Sequence, residues 1–168
     1  MTALADVDQM GEEAFVATFG ALFEHSPWVA RDAWRRRPFG SMTALRDAFE
    51  DAMRSAPLEA QLALIRAHPE LAGREAAEGE LTSESGREQA SAGLHQLSAR
   101  QRAQLNALNQ SYRERFGFPL IVCVREHTTD SILDWGRDRL GRSHHEEVDT
   151  ALAEIAKIAR LRLEEEIA

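Results

Sequence analysis

The stretch that decides the fold class is Ser98-Ala99-Arg100-Gln101-Arg102-Ala103-Gln104-Leu105-Asn106-Ala107-Leu108-Asn109-Gln110-Ser111-Tyr112-Arg113-Glu114-Arg115-Phe116-Gly117. Leu105, Leu108, Tyr112 and Phe116 recur every three or four residues, which places them on one helical face. Ser98-x-x-Gln101 is a capping box at the start, and Gly117 supplies the stop. Directly after it comes Phe118-Pro119-Leu120-Ile121-Val122-Cys123-Val124, the one β-like run of the chain. No second run of this kind is present to pair with it. The expected fold is therefore all-α: a single-domain bundle of about seven to eight helices with one extended segment near 118–124. The backbone groups of that segment cannot all pair internally and need partners, of which a ligand is one candidate.

Outward from this stretch the helical period continues. Ser26-Pro27 reads as an N-cap and first helical residue, with the helix running to about Arg36 and stopping before Pro38. Ser41 caps a second helix whose face carries Leu45, Ala48, Phe49, Ala52 and Met53. Pro57 opens a third, with Leu58, Leu62 and Ile65, which ends near His68 because Pro69 follows. Residues 72–82 have Leu81 as their one large apolar residue and read as a surface loop. A helix then starts between Thr82 and Ser85 and ends about Gly93. Thr128 to Leu140 reads as another, ended by Gly141. Ser143 caps the last, with Val148, Ala151, Leu152, Ile155, Ile158 and Ala159 along its apolar side.

Composition narrows the function classes. With 20 Lys and Arg against 28 Asp and Glu, the net charge of −8 disfavours a phosphate backbone, so no nucleic-acid partner is expected. Trp34-Arg35-Arg36-Arg37 is a local basic run that reads as a solvated face. One cysteine, Cys123, allows no internal disulfide and fits a reducing compartment. There is no secretory leader pattern, no run of 18 apolar residues and no peroxisomal Ser-Lys-Leu ending. A cytoplasmic protein without a membrane partner is expected.

Four features stand apart from a plain helical bundle. Val148, Ile155 and Arg162 are seven residues apart, so a guanidinium ends an apolar stripe. Either a carboxylate of a neighbouring helix takes it or an anionic ligand does. His68 stands at a helix exit before a rigid proline, as a cation favoured by the helix dipole or as an acid/base at a loop edge. Ser85-x-x-Glu88 has capping-box spacing, yet it also puts two polar side chains at a helix start where anions bind. His144-His145-Glu146-Glu147 looks like metal chemistry, but adjacent helical residues point about 100° apart and no His-Glu-x-x-His exists. It reads as a solvated helix start, and no metal site is expected.

His68-Pro69-Glu70-Leu71-Ala72-Gly73 resembles the His-Pro-Asp/Glu-Leu-Ala-Gly motif of the OHCU decarboxylases. OHCU is 2-oxo-4-hydroxy-4-carboxy-5-ureidoimidazoline, the late intermediate between urate and allantoin. Further blocks are similar, in order. They are Glu24-His25-Ser26-Pro27-Trp28-Val29, Ser85-Gly86-Arg87-Glu88-Gln89 with Ala92-Gly93-Leu94, Asn109-x-x-Tyr112-x-x-x-Phe116-Gly117-Phe118-Pro119, and Lys157-Ile158-Ala159-Arg160-Leu161-Arg162-Leu163. The resemblance runs from about Met10 to Leu163, and residues 1–168 are expected to form one domain of this kind. Glu70 stands where Asp is common and Leu120 where Phe is common.

The resemblance implies an all-helical, usually dimeric enzyme with no metal or organic cofactor. It decarboxylates OHCU to (S)-allantoin, with a functional link to urate oxidase and hydroxyisourate hydrolase. It implies His68 as catalytic acid/base, with Glu88 its catalytic companion. Ser85, Glu88 and Arg162 would line the substrate pocket, with Pro69 and Gln89 beside them and Gly86 and Arg87 in the same block. The backbone of Leu120, Ile121, Val122, Cys123 and Val124 would also touch substrate. Three rivals differ in outcome: a non-catalytic module that uses the same groove to bind a peptide or regulate a neighbouring enzyme, an enzyme of this fold acting on another ureido acid, and, more distantly, a metal hydrolase.

Overall fold

The computed structural model describes residues 2–167. Among them the chain forms ten α-helices and no strand. Eight of the helices have seven residues or more, which meets the all-α expectation. The chain divides into two compact units, with breaks after Ala67 and Glu154.

The first unit contains α1 (Leu4–Val7), α2 (Glu12–Phe19), α3 (Trp28–Trp34), α4 (Met42–Arg54) and α5 (Leu58–Ala67). It also takes the part of α10 (His144–Glu166) that starts at Ile155. Its core is aromatic: Phe15 lies 4.8 Å from Phe19 and 5.7 Å from Phe49, and Phe23 lies 6.0 Å from Phe49, centroid to centroid. Burying each such ring contributes roughly 1.5–3 kcal/mol, so this cluster dominates the unit's packing. Ser41 caps α4 as expected, accepting the Ala44 N–H at 3.1 Å. Ser26 does not cap α3. Its hydroxyl donates instead to the Glu24 carbonyl at 2.8 Å, and Pro27 takes the N-cap position.

The second unit contains α6 (Arg74–Glu78), α7 (Ser83–Ser91), α8 (Ala99–Phe116), α9 (Thr129–Arg139) and the first part of α10. α8 has the boundaries its local signals require: both capping-box bonds form at Ser98 and Gln101, and Gly117 closes it at φ +75°. α9 starts with a second capping box, Thr128 with Ser131. Ser143 caps α10, and its N–H donates to Glu146 Oε2 at 2.7 Å. Hydrogen bonding to Ser143 lowers the Glu146 pKa, the expected effect of donors on a carboxylate.

Two expectations change here. Residues 72–82 are not all loop, because Arg74–Glu78 is helical. An Arg74–Glu78 ion pair at 3.0 Å supports that turn and Gly79 ends it in the left-handed region. The turn buries none of its residues, so no apolar period announced it. The 118–124 run forms no strand and is not extended throughout, since Val124 begins a 3₁₀ turn, Val124–Glu126.

Candidate active site

α5 ends at Ala67, and His68 follows it, buried at 8% exposure. Pro69 then leads into a tight reversal. The Gly73 N–H donates to the Glu70 carbonyl at 3.3 Å. Ala72 adopts φ +47°, a left-handed conformation that costs a non-glycine residue about 1–2 kcal/mol. A Cβ on Gly73 would stand 2.6 Å from the Glu70 Cβ, so only glycine fits the closure without a shift. Outside bonds hold this loop in place. Gln89 Oε1 accepts the Ala72 N–H at 2.9 Å, and Asn109 Nδ2 donates to the Leu71 carbonyl at 3.0 Å. Arg113 pairs with Glu70. The six-residue motif is thus anchored to α7 and α8 rather than lying as a free loop.

α7 resolves the Ser85-x-x-Glu88 ambiguity. The cap is Thr82, whose Oγ1 accepts the Ser85 N–H at 3.2 Å. Ser85 is therefore already inside the helix, and Ser85-x-x-Glu88 is not its capping box. Ser85 and Gln89 are buried and Glu88 is half-buried. His68, Ser85 and Glu88 each interact with other groups of the chain. Arg87 is exposed, 3.9 Å from Glu84. Gly86 faces a cavity of about 220 Å³ bounded also by Ala72, Leu81, Gln89 and Leu94. α7 also packs against the turn Val124–Glu126. The second unit thereby gathers three of the sequence candidates around one helix: the His68 loop, the Ser85–Gln89 block and the end of the extended segment.

The extended segment finds partners in side chains that the sequence reading did not single out. Arg139 Nη1 donates to the Ile121 carbonyl at 2.6 Å, and the Cys123 N–H donates to Glu154 Oε2 at 2.8 Å. The Cys123 and Val124 carbonyls accept from Glu126 and His127 in the following turn. Val122 is buried, and among the described residues neither its N–H nor its carbonyl has a hydrogen-bond partner. Arg139 and Glu147 are fully buried and bond at 2.6 Å, and the Tyr112 hydroxyl donates to the same Glu147 oxygen at 2.6 Å. Burial raises the Tyr112 phenol pKa, opposed by the Arg139 charge and reinforced by the bond to Glu147.

Glu147 corrects the reading of His144 to Glu147 as a solvated quartet: the first three are exposed, the fourth is an interior ion-pair partner. The signal was available. Arg139 follows Ile132 by seven residues, and Glu147 and Glu154 are seven apart on an apolar helix.

Arg162 belongs to the other unit. Its Nη2 lies 3.0 Å from Glu24 Oε1, and its Nη1 donates to the Leu22 carbonyl at 3.3 Å. Both side chains are buried. Of the two readings for this guanidinium, pairing with a carboxylate is present, although Glu24 lies in the turn before α3 and not on a helix.

A family model described as OHCU decarboxylase matches residues 8–164. The chain belongs to the OHCU decarboxylase family. It is 44% identical to the 2-oxo-4-hydroxy-4-carboxy-5-ureidoimidazoline decarboxylase of Haloferax volcanii, over 96% of this chain and 94% of that one. It is 42% identical to the enzyme of the same name from Halalkalicoccus jeotgali, over 95% and 89% of the two chains. A crystal structure of (S)-allantoin synthase shares the fold, with a TM-score of 0.80 and 23% identity, over all of this chain and 54% of that one.

In this OHCU decarboxylase family member, the His68–Gly73 motif supplies a histidine, α7 supplies a carboxylate and a hydroxyl, and the 118–124 segment supplies backbone groups. That set can move protons and hold a polar ring. Among the described residues no cluster of three or more His, Cys, Asp or Glu is arranged for a metal ion, and no helix is long and apolar enough to cross a membrane.

Proposed function

We propose that His68 is the general acid/base of this chain, an OHCU decarboxylase of urate degradation. The observation that carries the assignment is the anchoring of the His68 loop by Gln89 and Asn109 beside the α7 carboxylate block. These bonds fix the backbone three and four residues beyond the histidine, which supports a positioned group for proton transfer.

The substrate carries its own electron sink. As CO₂ leaves, the electron pair of the broken C–C bond forms a double bond to the neighbouring ring carbon, and the imine nitrogen takes up the displaced pair and a proton. The hydroxyl on the decarboxylated carbon then loses its proton to become a carbonyl, and the ureido-bearing carbon gains one. His68 mediates these transfers from one face, which makes the product a single enantiomer, (S)-allantoin. Glu88 orients the hydroxyl or the imidazole. Ser85, Gln89 and the Leu120–Val124 backbone position the ring, and no metal or organic cofactor takes part. The resemblance also gives Arg162 to substrate binding.

We further infer a homodimer in the cytoplasm, fed by the products of urate oxidase and hydroxyisourate hydrolase. Sedimentation velocity on the purified chain tests the dimer.

The deciding experiment is a coupled circular-dichroism assay with OHCU made fresh from urate. The parent chain should produce (S)-allantoin rapidly, and His68→Ala should lose about 10²–10⁴-fold in rate while staying folded. Racemic allantoin at the spontaneous rate from the parent would remove the catalytic reading altogether. A fully active His68→Ala would remove His68 from the chemistry.

A further inference from the structure

We propose that Arg139, Glu147 and Glu154 are positioning residues that set the direction of the Leu120–Val124 backbone toward substrate. The inference rests on the decarboxylase reading above, in which that backbone contacts the ureidoimidazoline ring.

Among the described residues the segment has no neighbouring strand to align it, yet it is buried from Leu120 to Val124. Two side chains do what a strand would do. Arg139 binds the Ile121 carbonyl at 2.6 Å, and Glu154 binds the Cys123 N–H at 2.8 Å. In an extended chain these two groups project to the same side, as they do toward a neighbouring strand. On an extended backbone the Val122 N–H and carbonyl, which lie between them, project to the opposite side. Clamping the first pair therefore fixes the second, an adjacent donor and acceptor that suits the N–H and C=O of a ureide.

The Arg139 side chain is itself over-determined. Besides Ile121 it bonds Glu147 at 2.6 Å, lies 3.4 Å from the Tyr112 hydroxyl and stacks over Trp135 at 4.6 Å. A buried ion pair is weak evidence for stability, because apolar packing of the same volume does as well. What apolar packing cannot do is aim a carbonyl. Arg139 and Glu147 make that arrangement from α9 and α10, and Glu154 completes it two turns along α10.

The test is steady-state kinetics and product chirality on freshly made OHCU for Glu154→Leu, Glu154→Gln and Arg139→Lys, each checked for a native circular-dichroism spectrum. Glu154→Leu removes the acceptor for Cys123. It should raise KM about tenfold or more, with kcat changed much less, and should lower the enantiomeric excess of allantoin. Glu154→Gln keeps an acceptor oxygen and should recover most of the KM. Arg139→Lys keeps the charge beside Glu147 but loses the fork that reaches Ile121 at the same time, and should again raise KM.

Parent-like KM and enantiomeric excess in folded Glu154→Leu and Arg139→Lys overturn the proposal. So does a loss of activity that only follows the fraction folded. If Glu154→Leu does not fold, Glu154→Gln and Arg139→Lys decide: a raised KM in the second but not the first supports the proposal, and equal KM values in both overturn it. An inactive parent chain would instead remove the decarboxylase reading.

Discussion

Gln89 holds the backbone of Ala72 in a left-handed turn, its Oε1 accepting the Ala72 N–H at 2.9 Å from 17 residues away. The same amide's Nε2 faces the Glu70 carbonyl at 3.4 Å. One buried side chain thus sets the course of the loop that His68 opens. Gln89→Leu strands the Ala72 N–H in the interior and should cost about 1–3 kcal/mol of stability by urea unfolding. Because the loop then relaxes, kcat should fall by as much as about 100-fold. A folded Gln89→Leu with parent kcat would show that the loop needs no such support.

Arg162 and Glu24 form a buried pair at 3.0 Å, so deleting one leaves the other charged in the interior. Arg162→Ala should therefore lose about 3–5 kcal/mol, and its kinetics would confuse instability with lost binding. The double variant Arg162→Met with Glu24→Leu removes both charges and should recover most of that stability. If Arg162 also binds substrate, the double variant will be folded with a raised KM. A parent-like KM in it confines Arg162 to structure.

Tyr112 is the single tyrosine of the chain, so its ionisation can be followed directly by phenolate absorbance. Its folded pKa is raised above the ordinary 10.0. The folded state therefore keeps this proton at pH values where the unfolded state has lost it. The contribution is fully present below pH 10 and is lost as pH rises toward the folded pKa. Urea unfolding between pH 9 and 11 should show stability falling above about pH 10, with a flatter profile in Tyr112→Phe. A parent absorbance titration centred at the ordinary phenol value would contradict the burial argument.

Gly136 lies in α9 where a Cβ would come 2.5 Å from Leu108 Cδ2 and 3.0 Å from Leu120 Cδ2. Glycine to alanine inside a helix ordinarily stabilises by up to about 1 kcal/mol. Here overpacking should reverse the sign, and Gly136→Ala should cost about 1–2 kcal/mol. Since Leu120 belongs to the 118–124 segment, KM should rise as well. Thermal unfolding and KM of this one variant check both statements, and a raised Tm would refute the packing claim.

The ends of α8 were legible because their signals are local: Ser98 with Gln101, and the left-handed Gly117, act within a few residues. The apolar stripes of α4 and α10 were legible for the same reason, as was the place of His68 before Pro69. α6 was not, because a helix with no buried residue carries no apolar period. The overlapping patterns Thr82-x-x-Ser85 and Ser85-x-x-Glu88 could not be ranked from spacing, and only the bond to Thr82 shows which one caps α7.

The helical class, most helix boundaries and the place of His68 before Pro69 could be read from the chain alone, because each depends on residues close together in it. The partners of the interior charges follow from helix packing and not from chain position. Arg139 meets a carbonyl 18 residues away, Glu154 an amide 31 away and Arg162 a carboxylate 138 away. A buried charge is satisfied by whatever group the packed helices bring within about 3 Å, and that distance is a property of the packing, not of position along the chain.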